Sequence, residues 1–351
     1  MKGKVAVSIF AAAFALLLPL FAAKSVQKWD NAEKHSKFPL PDAPEEVSEK
    51  ETDFETNFNF DFDLYTALED STVDVLMGDK TVTMDLEEYL LGVVAGEMPP
   101  TFEEEALKAQ AVAARTYTLY KLLVSPSANH EADVCTDPTC CKAYSDETTL
   151  REKWGDEYDA NMAKIASAVW RTSGEYMIYN NEPVLAVFHS SSSGATENSE
   201  NVWNQGLPYL VSVSSPETSD EVKNYITTTN ITHEDFCDTF RAQYPDADFS
   251  SEPSGWICDI VRSDSGRINT VTIGGVTVKG TELRSVFSLR STAVEIEVTD
   301  TDIVFTVSGY GHGVGMSQYG ANIMAKEGKT YRDILSWYYT GVGFAKISEA
   351  F

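Results

Sequence analysis

The sequence predicts an α+β protein, with helices and antiparallel strands in separate layers and a cleft between them. Three observations carry that reading. Residues 72–77 and 81–84, 267–273 and 276–278, and 294–298 and 303–307 form three pairs of strand-like runs, each pair joined by a short connection. Residues 85–95 and 101–123 read as two helices in succession. Tyr331, Ile334, Leu335, Tyr338 and Tyr339 repeat at helical spacing, and Gly341 is a suitable stop.

The chain opens with Lys2 and Lys4 and an almost unbroken apolar run over 5–23, long enough to cross a bilayer as a helix. Lysines ahead of the run favour a cytoplasmic N-terminus, although Lys24 and Lys28 weaken the asymmetry. Phe21-Ala22-Ala23 also offers small residues to a signal peptidase. The length of the run favours an uncleaved anchor over residues 1–24, and either alternative exports the remainder of the chain. Residues 25–70 read as an acidic extracytoplasmic tether. Prolines 39, 41 and 44 and many acids leave too little apolar surface to fold alone. Phe58, Phe60 and Phe62 alternate with polar residues and suit an edge strand. Residues 71–351 then form a single large domain. The net charge of −27 repels phosphate backbones and anionic lipid, which excludes nucleic acid as a partner.

In the first half of that domain, Thr72 to Met77, a turn over 78–80 and a return strand over 81–84 predict a hairpin. The second helix is expected to start at Thr101 as N-cap, with Glu104 completing a capping box. Glu103, Glu104 and Glu105 suit the positive end of that helix. Glu97 differs from these: it lies between the two helices, after an apolar stretch and before Pro99 and Pro100. A carboxyl group against apolar surface has its charged form disfavoured, which suits a general acid. Lys108 and Arg115 are seven apart and share a helix face.

Two further stretches carry chemistry. After a strand-like 184–188 come His189, Ser190, Ser191, Ser192 and Ser193, then Gly194. Hydroxyls beside an imidazole suit the hydrogen bonds of a sugar. A serine nucleophile would need a strand–turn–helix elbow that is missing here. In Gly309-Tyr310-Gly311-His312-Gly313-Val314-Gly315 glycine alternates. An extended segment would put the glycines on one face and Tyr310, His312 and Val314 on the other. Glycines there let a backbone or ligand come close.

Taken in order, several segments resemble the stage II sporulation protein D family. They are Glu97-Met98-Pro99, the run from Glu105-Ala106-Leu107-Lys108 to Arg115-Thr116-Tyr117, His189-Ser190 through Gly194, and Thr196-Glu197-Asn198-Ser199-Glu200. Val202-Trp203, Arg284, Leu289-Arg290-Ser291 and the glycine run complete the set. The resemblance spans roughly residues 72–343. Ser193 stands where the family usually has glycine.

Members are peptidoglycan lytic transglycosylases of forespore engulfment. The resemblance therefore implies that the cleft binds glycan and that Glu97 is the catalytic acid. It would protonate the MurNAc–GlcNAc oxygen, then act as base while the sugar's 6-hydroxyl attacks C1 to give a 1,6-anhydro end. A second carboxylate is not required, unlike in most glycosidases. Lys108, Arg115 and Tyr117 would line the groove. His189, Ser190, Ser191 and Ser192, with Tyr310, His312, Met316, Ser317 and Gln318, would form the opposite wall. Family members act on strands already stripped of stem peptides, which implies a partner amidase of the stage II sporulation protein P type and a membrane scaffold of the stage II sporulation protein M type. The catalytic domain would lie between the membranes of the mother cell and forespore. A related branch is described as amidase modifiers, so a non-catalytic, glycan-binding activator is the alternative.

His130, Cys135, Cys140 and Cys141 lie within twelve residues and could hold a tetrahedral zinc. Adjacent cysteines make poor joint ligands. Some family members carry a similar cluster, and Cys141, three before Tyr144, matches its second cysteine. The implied set is His130, Cys135 and Cys141, with Cys140 as the substitute. A disulfide from Cys135 is the other reading, which an exported chain allows. No cofactor is needed for the glycosidic cleavage itself. Cys237 and Cys258 could also pair.

Overall fold

The computed structural model describes residues 72–203 and 205–347. The expected anchor (1–24), the tether (25–70) and the edge strand around Phe58, Phe60 and Phe62 lie outside the described residues. No helix among the described residues is long and apolar enough to cross a membrane. The described residues are a mixture of helices and mostly antiparallel strands, an α+β architecture. They divide into two compact units. One comprises residues 72–97, 126–174 and 346–347, the other 98–125 and 175–345.

In the first unit, Thr72–Met77 and Lys80–Asp85 form the expected hairpin, with Thr72 opposite Asp85 and Val75 opposite Val82. Gly78 takes the left-handed conformation its turn needs (φ +62°). The short strand Val134–Cys135 adds in parallel to the other edge of Thr72–Met77. The helix Leu86–Glu97 comes next, and Asp85 Oδ1 accepts the Glu88 amide at 3.1 Å, satisfying one of its orphan donors. Nearly all of this helix is buried, as an all-round apolar composition requires. It packs on the Tyr158–Arg171 helix. A side chain at Gly92 would collide with the Tyr144 ring, which stacks on Tyr89 with centroids 5.9 Å apart. The helix runs two residues beyond the predicted end at 95, so Glu97 is its last residue rather than part of a linker.

The second unit contains the helix Glu104–Leu123. Its N-cap is Glu103 without a side-chain capping bond, so the expected capping box from Thr101 does not form. Pro99 to Phe102 make a hydrogen-bonded turn instead, and Asn322 Oδ1 accepts the Glu103 amide at 2.7 Å. A distant side chain thus does what the local motif was expected to do. Alanines 106, 109, 111, 113 and 114 are all buried and let neighbouring elements approach closely. Thr116 Oγ1 accepts the Met177 amide at 2.9 Å and fixes the strand Glu175–Tyr179 against the helix.

The hairpins Ile268–Ile273/Val276–Lys279 and Val294–Val298/Asp302–Ser308 form in the expected places. Ile257–Arg262 and Ile226–Thr232 extend them to three strands each. Phe236, Phe240, Trp256, Phe287 and Phe305 fill the apolar core under these sheets. Residues 184–187 are not a strand. Only Phe188–His189 pairs, in parallel with Met316–Ser317. The C-terminal helix is Tyr331–Tyr338, and Gly341 (φ +73°) lies beyond its end.

Candidate functional site

Glu97 ends a buried helix and is itself half-buried. The Ala143 amide donates to its Oε1 at 3.0 Å. Lys142, the residue before, is 7% exposed, and burial pulls its ammonium down to about 8 against the opposing pull of Glu97 and Cys141. Opposite fields therefore meet at the Glu97 carboxyl. The helix C-terminus carries partial negative charge, while the amide and the Lys142 ammonium attract it.

One residue before Lys142 begins a sulfur–imidazole cluster. The donor atoms of His130, Cys135, Cys140 and Cys141 all lie within 4.8 Å of one another. Cys141 Sγ is 3.6 Å from His130 Nε2 and 4.0 Å from Cys140 Sγ. The Ala132 carbonyl, 2.8 Å from His130 Nδ1, can only accept, so Nδ1 carries the hydrogen and the Nε2 lone pair faces the sulfurs. The Sγ atoms of both adjacent cysteines lie in this group. No disulfide joins any of Cys135, Cys140, Cys141, Cys237 and Cys258.

The histidine–serine segment and the glycine run come together in the second unit. Tyr310 and Ser191 exchange both backbone hydrogen bonds, at 2.9 and 3.1 Å. The glycine run is not extended as expected. Gly309, Gly311, Gly313 and Gly315 have φ of +72°, +115°, +83° and +71°, so the chain turns at every second residue. A Cβ on Gly311 would lie 2.7 Å from His189 Cβ, and one on Gly315 would strike the Val187 carbonyl. Ser193 does not adopt a left-handed conformation, so a side chain is tolerated there.

His189 is 4% exposed. Its Nδ1 faces the Val314 carbonyl at 3.2 Å and so carries the hydrogen, and Ser192 Oγ donates to Nε2 at 2.7 Å. Burial, with the charges of His312 and Arg267, holds His189 well below the ordinary histidine range and therefore neutral. The pair resembles an activated serine, but Ser192 has no exposed surface for a substrate carbonyl to reach.

Glu217, which nothing in the local sequence singles out, accepts the Ser192 amide at 2.7 Å and the Ser317 hydroxyl. Glu197 accepts from Asn201, Ser263 and Ser265 at 2.5–2.8 Å. Between these acids Arg267 is buried, and its three side-chain nitrogens have no hydrogen-bond partner among the described residues. Met316, Ser317, Gln318 and Ser191 are buried too. At the surface stand Tyr310 and Trp203, 46% and 37% exposed, with the His312 ring 5.3 Å from that of Trp203.

The groove residues expected on the Glu104–Leu123 helix differ in environment. Lys108 is partly exposed and paired with Glu104 and Glu105 at 3.0 and 2.8 Å. Arg115, expected on the same open face, has no exposed surface, and its Nη1 donates to the Glu175 carbonyl at 3.0 Å. Tyr117 is 7% exposed.

Comparison with known proteins gives the family of the chain. The sequence model of the SpoIID family, stage II sporulation protein, matches residues 78–179. The stage II sporulation protein D of Bacillus subtilis (strain 168) is 41% identical over 267 residues, 76% of this chain and 75% of its own length. That of Bacillus amyloliquefaciens is 40% identical, over 76% and 74%. The chain belongs to the stage II sporulation protein D family, a family of sporulation. A Bacillus subtilis (strain 168) protein named amidase enhancer is 30% identical over 72% of this chain, which spans 39% of that protein.

Proposed function

We propose that this chain is a lytic transglycosylase of forespore engulfment. It cleaves the MurNAc–GlcNAc bond of glycan strands that have lost their stem peptides. Glu97 carries the reading. A single acid must serve in two states, and the environment of Glu97 supports both: the helix C-terminus favours the neutral carboxyl, Lys142 and the Ala143 amide the ionised one. Glu97 gives its proton to the glycosidic oxygen as the C1–oxygen bond breaks. Its carboxylate then takes the 6-hydroxyl proton as that oxygen bonds to C1. The acid is regenerated and no water is consumed. The exposed rings of Trp203 and Tyr310 offer faces on which sugars stack. Stripped glycan strands incubated with wild type should yield 1,6-anhydro-MurNAc ends by mass spectrometry. Glu97→Gln should lower the rate by roughly 10²–10⁴-fold. Ordinary reducing ends from wild type would refute the mechanism.

A second reading rests on the relative named amidase enhancer: a glycan-binding activator of a cell-wall amidase. Tight strand binding without cleavage by wild type would favour it. In either case the 5–23 apolar run supports a single-pass anchor with the remainder outside the cytoplasm, where the amidase and membrane scaffold would meet it.

His130, Cys135, Cys140 and Cys141 hold one zinc in this proposal, a closed set of one nitrogen and three sulfurs. Bound there, the ion supplies a structural cross-link and no step of the cleavage. Lys142 and Ala143 come directly after Cys141, so the cluster fixes the backbone that holds Glu97.

A further inference from the structure

Beside the Tyr310 turn, in the second unit, lies a cavity of about 440 Å³ lined by Thr281, Arg284, Ser285, Ser288, Arg290 and Tyr310, among others. We infer that it is a subsite for the free lactyl carboxylate of a stem-peptide-free muramic acid residue. The inference rests on the glycan-cleaving reading and adds the feature by which the strand is recognised.

The cavity carries two guanidinium groups and no carboxylate in its lining, in a chain whose net charge is −27. Such a patch marks a place where an anion is welcome. Arg290 Cζ lies 4.1 Å from the centroid of the Tyr310 ring, a cation–π contact that positions the guanidinium. Arg290 Nε is buried and has no hydrogen-bond partner among the described residues, so no protein acceptor neutralises that edge of the guanidinium. The Gly311 amide donates to the Arg290 carbonyl at 3.0 Å, and Arg284 Nε donates to the Leu289 carbonyl at 3.2 Å. The segment carrying both arginines is thereby tied to the glycine turn. The hydroxyls of Thr281, Ser285 and Ser288 on the other lining positions suit a sugar.

The chemistry singles out one anion. While a stem peptide is attached, the muramic lactyl group ends in a neutral amide. Amide hydrolysis leaves a carboxylate, one new negative charge per disaccharide, and a guanidinium fork matches it. The reaction that supplies this substrate is therefore an amide hydrolysis, and the cavity reads whether it has occurred.

The test measures binding to the full chain carrying Glu97→Gln, which does not consume its ligand. The probes are a MurNAc–GlcNAc tetrasaccharide with free lactyl carboxylates, the same sugar with those groups as methylamides, and a free stem peptide. The acid should bind about tenfold tighter than the methylamide. Adding Arg290→Gln, or separately Arg284→Gln, should erase that preference and leave methylamide affinity within about twofold, which also reports an intact fold. Equal affinity for acid and methylamide would overturn the inference, as would an arginine variant that weakens both sugars alike. Competition by the stem peptide as strong as by the acid sugar would assign the cavity to a peptide carboxylate instead. Because binding is read without cleavage, a wild type that prefers the acid sugar but cuts nothing would sink the transglycosylase reading and leave the subsite standing.

Discussion

Lys142 shows at the residue scale how burial shapes the chemistry around Glu97. Its ammonium is pulled down to about 8 by burial, while Glu97 and Cys141 support the charged form. In the assay of stripped strands, removing that cation favours the protonated Glu97 carboxyl. Lys142→Met should therefore move the alkaline limb of the pH–rate profile to higher pH, by about one pH unit. An unmoved limb would mean that Lys142 does not act on the acid. Arg115 and Arg267 make the complementary point. Both are charged and fully buried, and their charges are answered inside the protein, by the Glu175 carbonyl and by Glu197 and Glu217.

The decisive feature of the elements is how each begins and ends. Asp85 closes the first hairpin and caps the Leu86–Glu97 helix, yet burial pushes its carboxyl up to about 7 from 3.8. The folded chain therefore keeps a proton that the unfolded chain has released between those values. This group's contribution to stability is complete below about pH 4, falls as pH rises toward 7, and is flat at higher pH. Asparagine accepts the Glu88 amide equally well and has no charge to bury. Asp85→Asn should match the parent in Tm at pH 4 and exceed it by about 3 °C at pH 8. A Tm lower at both pH values would mean that the ionised carboxylate stabilises the helix. The glycine turn is held differently, by left-handed residues packed on His189 and Val187, which are distant along the chain.

For the whole molecule the sulfur–imidazole cluster acts through the proposed zinc, and it lies in 126–174, a stretch of the first unit that runs between two segments of the second. Protein purified without added metal should carry one zinc per chain by elemental analysis. Removing it with a strong chelator should speed hydrogen exchange over residues 126–146 and lower Tm by roughly 5 °C. Metal-free protein with unchanged exchange would refute the zinc proposal. The net charge of −27 acts at this scale too: it makes the arginine cavity a local exception in an acidic chain.

Local physics made much of this protein readable in advance. Strand alternation placed three hairpins, helical spacing placed three helices, and the ordered motifs placed the family and the segments carrying Glu97, His189 and Tyr310. These properties depend on neighbours within a few residues, which a sequence displays directly. Tertiary structure decided the rest. Period-two glycines resemble a strand, but left-handed φ values turn the chain at each of them, because Ser191, His189, Arg267 and Val187 occupy the space a side chain would need. Glu217 reaches Ser192 across 25 residues and Ser317 across 100, and Glu103 finds its cap in Asn322 across 219. Helical spacing gave Arg115 a face but not what covers it, and its groove role was implied by the family resemblance alone. Partners so distant along the chain meet only when packing brings their elements together, so no local pattern could announce them.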